Sequence, residues 1–336
     1  MSLLSRRKKR KIEFGERVMD NNDYKALITE YEKLNRERPD IYLLSFDEHV
    51  VGLKHSFSKN NYLNATKEKQ IVVTLLWMKN ACPLMKYYNA FKTQDMEFLN
   101  NALYETAHLM QIGNISNTGT DHGFYGMNIT PNLLAANMME RIKLVLPKEN
   151  GLGNYSFSGT HIANLLMAVI YEDFEFKEKA LALSEKELNK KIPEYIKCWI
   201  QCMRAIVLKD CEQFNEQLAA FCKAYMKCKE FGMNAFNRRF CVEAHGIYNL
   251  AIWAYNRELK EHILIPQVSN FCQDLVFFQE NNNYETGRVV HIYPETMNIC
   301  NKIMHCEPPK MFLLGEGKKR AIDVKRFAQD LVSKIE

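Results

Sequence analysis

The sequence predicts an all-α protein, an irregular stack of antiparallel helical hairpins resembling a solenoid or bundle. Apolar residues recur at spacings of three and four along most of the chain, the mark of helices that bury one face. Alternating β-branched runs bounded by turns, the mark of strands, barely occur. Prolines stand where helices should open or stop.

A first helix is expected over Phe14 to Glu37, stopped by Pro39. Ala65 to Met110 reads as helical on both sides of Cys82-Pro83, since proline lacks an amide donor and clashes with the preceding turn. The stretch QIGNISNTGTDHGFYGMNITPN then reads as a loop of about twenty residues, long enough inside a compact domain to carry function. Thr130 caps and Pro131 opens a helix running to Val145. After Pro147 the stretch KENGLGNYSFSGT is a second glycine-bearing loop, and a helix follows from His161 to Tyr171. From there to Phe231 the pattern is one of successive hairpins. Pro193 opens a helix, Lys209-Asp210 turns the chain, and Asp210 with Gln213 forms a capping-box pattern. Helices are expected over Asn237 to Glu258, Pro266 to Gln279, Pro294 to His305 and Asp323 to Ile335. A short extended piece at Arg288 to Ile292 interrupts them. No fixed-period repeat is legible. The chain divides into a basic tail at residues 1–12, an N-terminal helical region at 13–111 and a helical-hairpin region at 130–336, the last two packed as one unit.

A chain of 336 residues with 47% apolar content can build a core without disulfides or metal. The net charge of +5 is mild and makes no global case for nucleic acid. The apolar runs are broken by Lys79, Glu172 and Arg204, and no secretory pattern follows the basic start, so a cytoplasmic protein with reduced thiols is expected from its ten cysteines. The run Arg6 to Lys11 has the charge to touch nucleic acid or an anionic membrane, against the plainer reading of a solvated tail.

The densest cluster of reactive side chains is CWIQCMRAIVLKDC, Cys198 to Cys211. Ile196, Trp199, Ile200, Met203, Ile206 and Val207 make one buried stripe of its helix, with Cys202 on the flank and Cys198 further round. The next helix carries Phe214, Leu218, Phe221, Cys222, Tyr225 and Cys228 on a single stripe. No CxxC knuckle exists, so these cysteines read as buried thiols; no metal and no cofactor is expected, with an approach of Cys198 to Cys222 left open. GLGNYSFSGTH lacks the ending and the spacing of a phosphate loop.

In TDHGFYG, Asp121 and His122 are the best acid-base pair, which would place a ligand pocket or an enzyme site near His122. A loop presenting His122, Phe124 and Tyr125 suits a protein interface better, because aromatics anchor interfaces. A second candidate surface is Arg238, Arg239 and Glu243, with Arg239 and Glu243 spaced as an i, i+4 ion pair and His245 nearby.

The order LVLPKENGLG, HIANLLMAVI, the acidic turn YEDFE, IPEYIKCWIQCMRAIVLKDCEQFNEQLAAFCKAY, CVEAHGIYNLAIWAY and ILIPQ, over about residues 141–303, resembles the bacterial immunity protein 49 family. That resemblance implies an all-helical, non-catalytic protein that neutralises a cognate toxin by binding it. It brings no catalytic residues. The expected partner is therefore a protein, and the expected contact residues are those of the two candidate surfaces.

Overall fold

A computed structural model describes residues 19–81, 83–113, 122–154, 157–229, 234–315 and 320–335. Among them the chain is all-α, and the one sheet is a two-residue ladder. The basic run Arg6 to Lys11 lies outside the described residues.

Helix α1 (Asn21–Glu37) begins where Asp20 accepts the Asn22 amide at 2.8 Å and Asp23 accepts the Asp20 amide at 2.9 Å, a reciprocal cap. It buries Tyr24, Leu27 and Tyr31 on one stripe, and Tyr31 stacks on Tyr88 at 4.6 Å. Next come α2 (Phe46–Phe57), α3 (Lys67–Ala81) and α4 (Pro83–Thr93), with the break at Pro83 where the sequence places it. A further break is new. Gln94 turns left-handed at φ 53° and Asp95 caps the Phe98 amide at 2.9 Å, so α5 (Met96–Gly113) is a separate helix. It packs against α3 and α4 and is buried on most of its circumference.

The long loop of the sequence reading is partly helix: α6 (His122–Asn128) and α7 (Thr130–Ala135) stand in its second half and just after it. α6 forms because it has something to lie on. Its glycines let it settle directly on α8 (Ser158–Tyr171), so closely that a Cβ at Gly126 would stand 2.7 Å from the Gly159 carbonyl. Tertiary packing overrides the poor helix propensity of glycine. The helix predicted to reach Val145 stops at Ala135 instead, because Asn137 turns left-handed at φ 58°.

Hairpins then follow as the pattern predicts: α8, α9 (Phe174–Leu188), α10 (Glu194–Leu208) and α11 (Cys211–Met226). Left-handed Glu172 and Lys209 end α8 and α10, and Asp173 and Asp210 cap the helices after them, Asp210 taking the Gln213 amide at 3.0 Å. Every member of the predicted α10 stripe is buried. Each such side chain contributes about 1.5–3 kcal/mol of transfer free energy.

The single helix expected from Asn237 is two, α12 (Ala235–Arg239) and α13 (Val242–Ala254), broken where the Cys241 amide leaves the helix to bond Asn270 O at 3.1 Å. α14 (Gln273–Asn281) starts later than Pro266, whose carbonyl instead accepts from Gln273 Nε2 at 2.8 Å. α15 (Asn298–His305), the hairpin of β1 (Leu313–Leu314) and β2 (Ala321–Ile322), and α16 (Val324–Ile335) complete the chain.

Residues 285–293 form a strap across α5. Arg288 N donates to Asn101 Oδ1 at 2.9 Å, and the amides of Val290 and His291 donate to Glu105 Oε1 at 2.7 and 2.8 Å. The predicted extended piece thus pairs with the side chains of a helix rather than with a strand. Gly287 permits the approach, since a Cβ there would lie 2.6 Å from the Asn100 carbonyl. Buried apolar side chains form one connected core from Met19 to Ile335. Among the described residues no helix is long and apolar enough to cross a membrane.

Candidate functional site

Helices α10 and α11 are joined tightly at Lys209-Asp210, and the start of α10 lies beside the end of α11. There they bound an open cleft of about 470 Å³, lined by Pro193, Glu194, Tyr195, Ala220, Ala224 and Cys228, with Lys223, Lys227 and Lys229 also on its wall. The cleft exists because positions 220 and 224, one turn apart on α11, carry only methyl groups. The opposite face of α11 buries Phe214, Leu218, Phe221, Cys222 and Tyr225, which fixes the helix in place. Pro193 precedes α10 without a side-chain cap, so the partial positive charge of that helix end adds to the lysines. Lys227 and Lys229 are exposed and pair with no acid among the described residues.

The surface predicted around Arg238 adjoins this cleft. Arg238 Nη1 donates to the carbonyl of Cys228, a lining residue, at 3.4 Å, and Arg239 is exposed beside it. The predicted ion pair of Arg239 with Glu243 does not form, because the break at Phe240-Cys241 removes the helical register that would bring them together. Glu243 instead receives the Tyr225 hydroxyl and, at 3.8 Å, the Cys241 thiol; burial pushes its carboxyl up and these bonds only partly offset that. Tyr225 meets Tyr195 of the cleft edge-on at 6.3 Å. His245 belongs to the core, taking the Cys272 amide at 3.1 Å and stacked on Phe271.

The other predicted surface is turned inward. His122 is 1% exposed and Tyr125 is likewise buried, while Phe124 is half-buried; Asp121 lies outside the described residues. The reason is the α6–α8 contact, which a loop reading does not contain. Neither ring nitrogen of His122 meets a partner at good hydrogen-bond geometry, and the neighbouring Asn164 amide is turned to Gly153 N and O at 2.8 and 2.9 Å. Burial, with the charge of Arg320, pushes the imidazole down to about 3, so it stays neutral.

Cys198, Cys202 and Cys222 of the α10–α11 hairpin are buried as core side chains, and Cys211 is half-buried. Cys202 lies within electrostatic reach of both Cys198 and Cys222, and burial pushes its thiol well above the ordinary range; burial also pushes Cys198 up to about 11. Protonated thiols are poor nucleophiles and poor metal ligands. Among the described residues no group of three His, Cys, Asp or Glu side chains is placed to hold a metal ion.

One cluster had no counterpart in the sequence reading. Lys86 and Glu105, 2% and 0% exposed, form an ion pair inside the protein, and His291 Nδ1 bonds the same carboxylate oxygen at 2.8 Å. Burial alone would push the Glu105 carboxyl up, but Lys86 and His291 outweigh it and hold the group at about 2. The cluster pins the strap. The cleft lysines were also missed as a site. Their signal was present as Lys223 and Lys227 four residues apart beside two alanines, yet it reads as an ordinary wet face until Pro193 and Tyr195 are brought opposite.

Comparison with protein-family models, with curated proteins and with solved structures finds no match for this chain.

Proposed function

We propose that this is a non-catalytic binding protein, an immunity protein of the immunity protein 49 type that neutralises a bacterial toxin by direct binding in the cytoplasm of the producing cell. The observation that carries this reading is the open cleft between α10 and α11, flanked by Arg238. It lies within the segment that resembles the family, and it combines concavity, a tyrosine and several cations, the ingredients of an interface anchor. The contact is assigned to this end rather than to His122 and Tyr125 because those side chains are buried.

The test is growth rescue. The protein is co-expressed with the product of the adjacent gene, and the two are co-purified from the same cells. Rescue with a stable complex supports the reading. A neighbouring product that is neither toxic nor bound removes it.

A further inference from the structure

The cleft's own chemistry says what enters it. We propose that it receives an acidic, protruding segment of a protein partner, whose carboxylates lie over the Ala220 and Ala224 floor and reach Lys223, Lys227 and Lys229. This rests on the reading of the protein as a binding module and adds the chemical class of the partner's contact segment.

Charge is the first argument. Three lysines line the cleft, Arg238 stands at its edge, and the one carboxylate among the described lining residues is Glu194, exposed at the mouth. Complementary potential selects an acidic partner and repels a basic one. Helix α11 is polarised in the same sense, with Asp210, Glu212 and Glu216 toward its closed end and Lys223 and Lys227 toward the cleft. Such an arrangement also complements the helix dipole, which would be reason enough for Lys223 and Lys227. Lys229 lies beyond the last helical residue, Met226, where that benefit has faded, and it still faces the cleft.

Size and lining are the second argument. A volume of about 470 Å³ admits a few side chains and excludes a folded surface, so the occupant must protrude. Nucleic acid fits less well. Single strands are held by aromatic platforms, whereas the one aromatic among the described residues lining this cleft, Tyr195, is engaged edge-on by Tyr225. The methyl floor suits the methylene groups of glutamate rather than a base.

The experiment uses the full chain and a labelled octaglutamate peptide as probe, with an oligothymidylate of about twelve nucleotides as the rival polyanion. The cleft variant is K223E/K227E/K229E. A charge-matched control is K54E/K69E/K325E, which changes exposed lysines on α2, α3 and α16. Circular dichroism confirms that each variant is folded, and K227A/K229A, which alters only fully exposed side chains, serves if the triple variant is not. Octaglutamate is expected to bind wild type at low salt, to weaken as salt rises, and to lose about tenfold or more in affinity in the cleft variant but not in the control. Equal binding by wild type and cleft variant, or equal loss in the control, overturns the proposal. So does oligothymidylate binding that is tighter than octaglutamate and lost in the same variant. Octaglutamate binding that behaves as expected while growth rescue fails would leave the cleft assignment standing and remove the immunity reading. Rescue undiminished in the cleft variant would do the reverse.

Discussion

Replacing Glu105 by glutamine keeps the shape of the buried cluster and removes one charge. In the native protein the carboxylate accepts two backbone amides of the strap, pairs with Lys86 and bonds His291. In the variant Lys86, 2% exposed, would be left as an uncompensated cation, and breaking one side of such a pair costs about 3–5 kcal/mol. Titration gives a second route to the magnitude. Holding the carboxyl at about 2, against an ordinary value of 4.5, corresponds to about 3 kcal/mol at about 1.4 kcal/mol per pH unit. The folded-state value is depressed, so this stability is fully present above the unfolded pKa and is lost as pH falls from about 4.5 toward 2. Urea unfolding followed by circular dichroism at pH 7 should show E105Q less stable by several kcal/mol. Across the acid window the wild type should lose stability more steeply than the variant. A loss below about 1 kcal/mol at pH 7, or parallel curves for the two proteins between neutral and acid pH, would refute the assignment of the cluster as a stabilising clasp. The double variant K86M/E105Q should recover part of the loss, because it removes the stranded cation.

Gly126→Ala puts a methyl group 2.7 Å from the Gly159 carbonyl and should cost about 1–3 kcal/mol, read as a lowered melting temperature; an unchanged melt would mean α6 does not lie on α8 as described. Asn249→Ala strands the buried Gln279 Oε1, which its amide serves at 3.1 Å, and removes one of the two bonds to each of the Leu134 and Ala135 carbonyls; it should cost about 1–3 kcal/mol in the same assay. Ellman's reagent at pH 8 should leave the buried thiols untouched until denaturant is added, since burial holds Cys198 and Cys306 near 11 and Cys300 near 12; fast reaction at Cys198, Cys300 or Cys306 would contradict that burial.

Local signals were enough for several elements, though not for the left-handed turns at Gln94 and Asn137. The α10 stripe, the Lys209-Asp210 turn and the break at Pro83 depend only on neighbours in the chain, and all are found. Long-range partners account for what was misread. Asn100, Asn101, Glu105 and His108 look like the wet side of α5, yet each is buried against chain from beyond residue 278: Gln279, Arg288, His291 and Ile303. Arg204, which falls on the polar side of α10, reaches Leu181 O and Ser184 Oγ at 2.7 Å and seals α9 against it. The site behaved likewise. Arg238 was legible as a surface cation, but its place beside a cleft depends on Cys228 coming near, and His122 was read as exposed because nothing in TDHGFYG announces α8.

The strap carries a consequence for how the chain is made. As the polypeptide leaves the ribosome, α4 and α5 emerge with a lysine–glutamate pair between them whose remaining bonds come from residues about 185 positions later, and His108 of α5 waits for the carbonyl of Ile303. Until then the middle of the molecule lacks the groups that satisfy its polar centre. The N-terminal half should therefore remain unfinished, and open to chaperones, until nearly the whole chain has been synthesised.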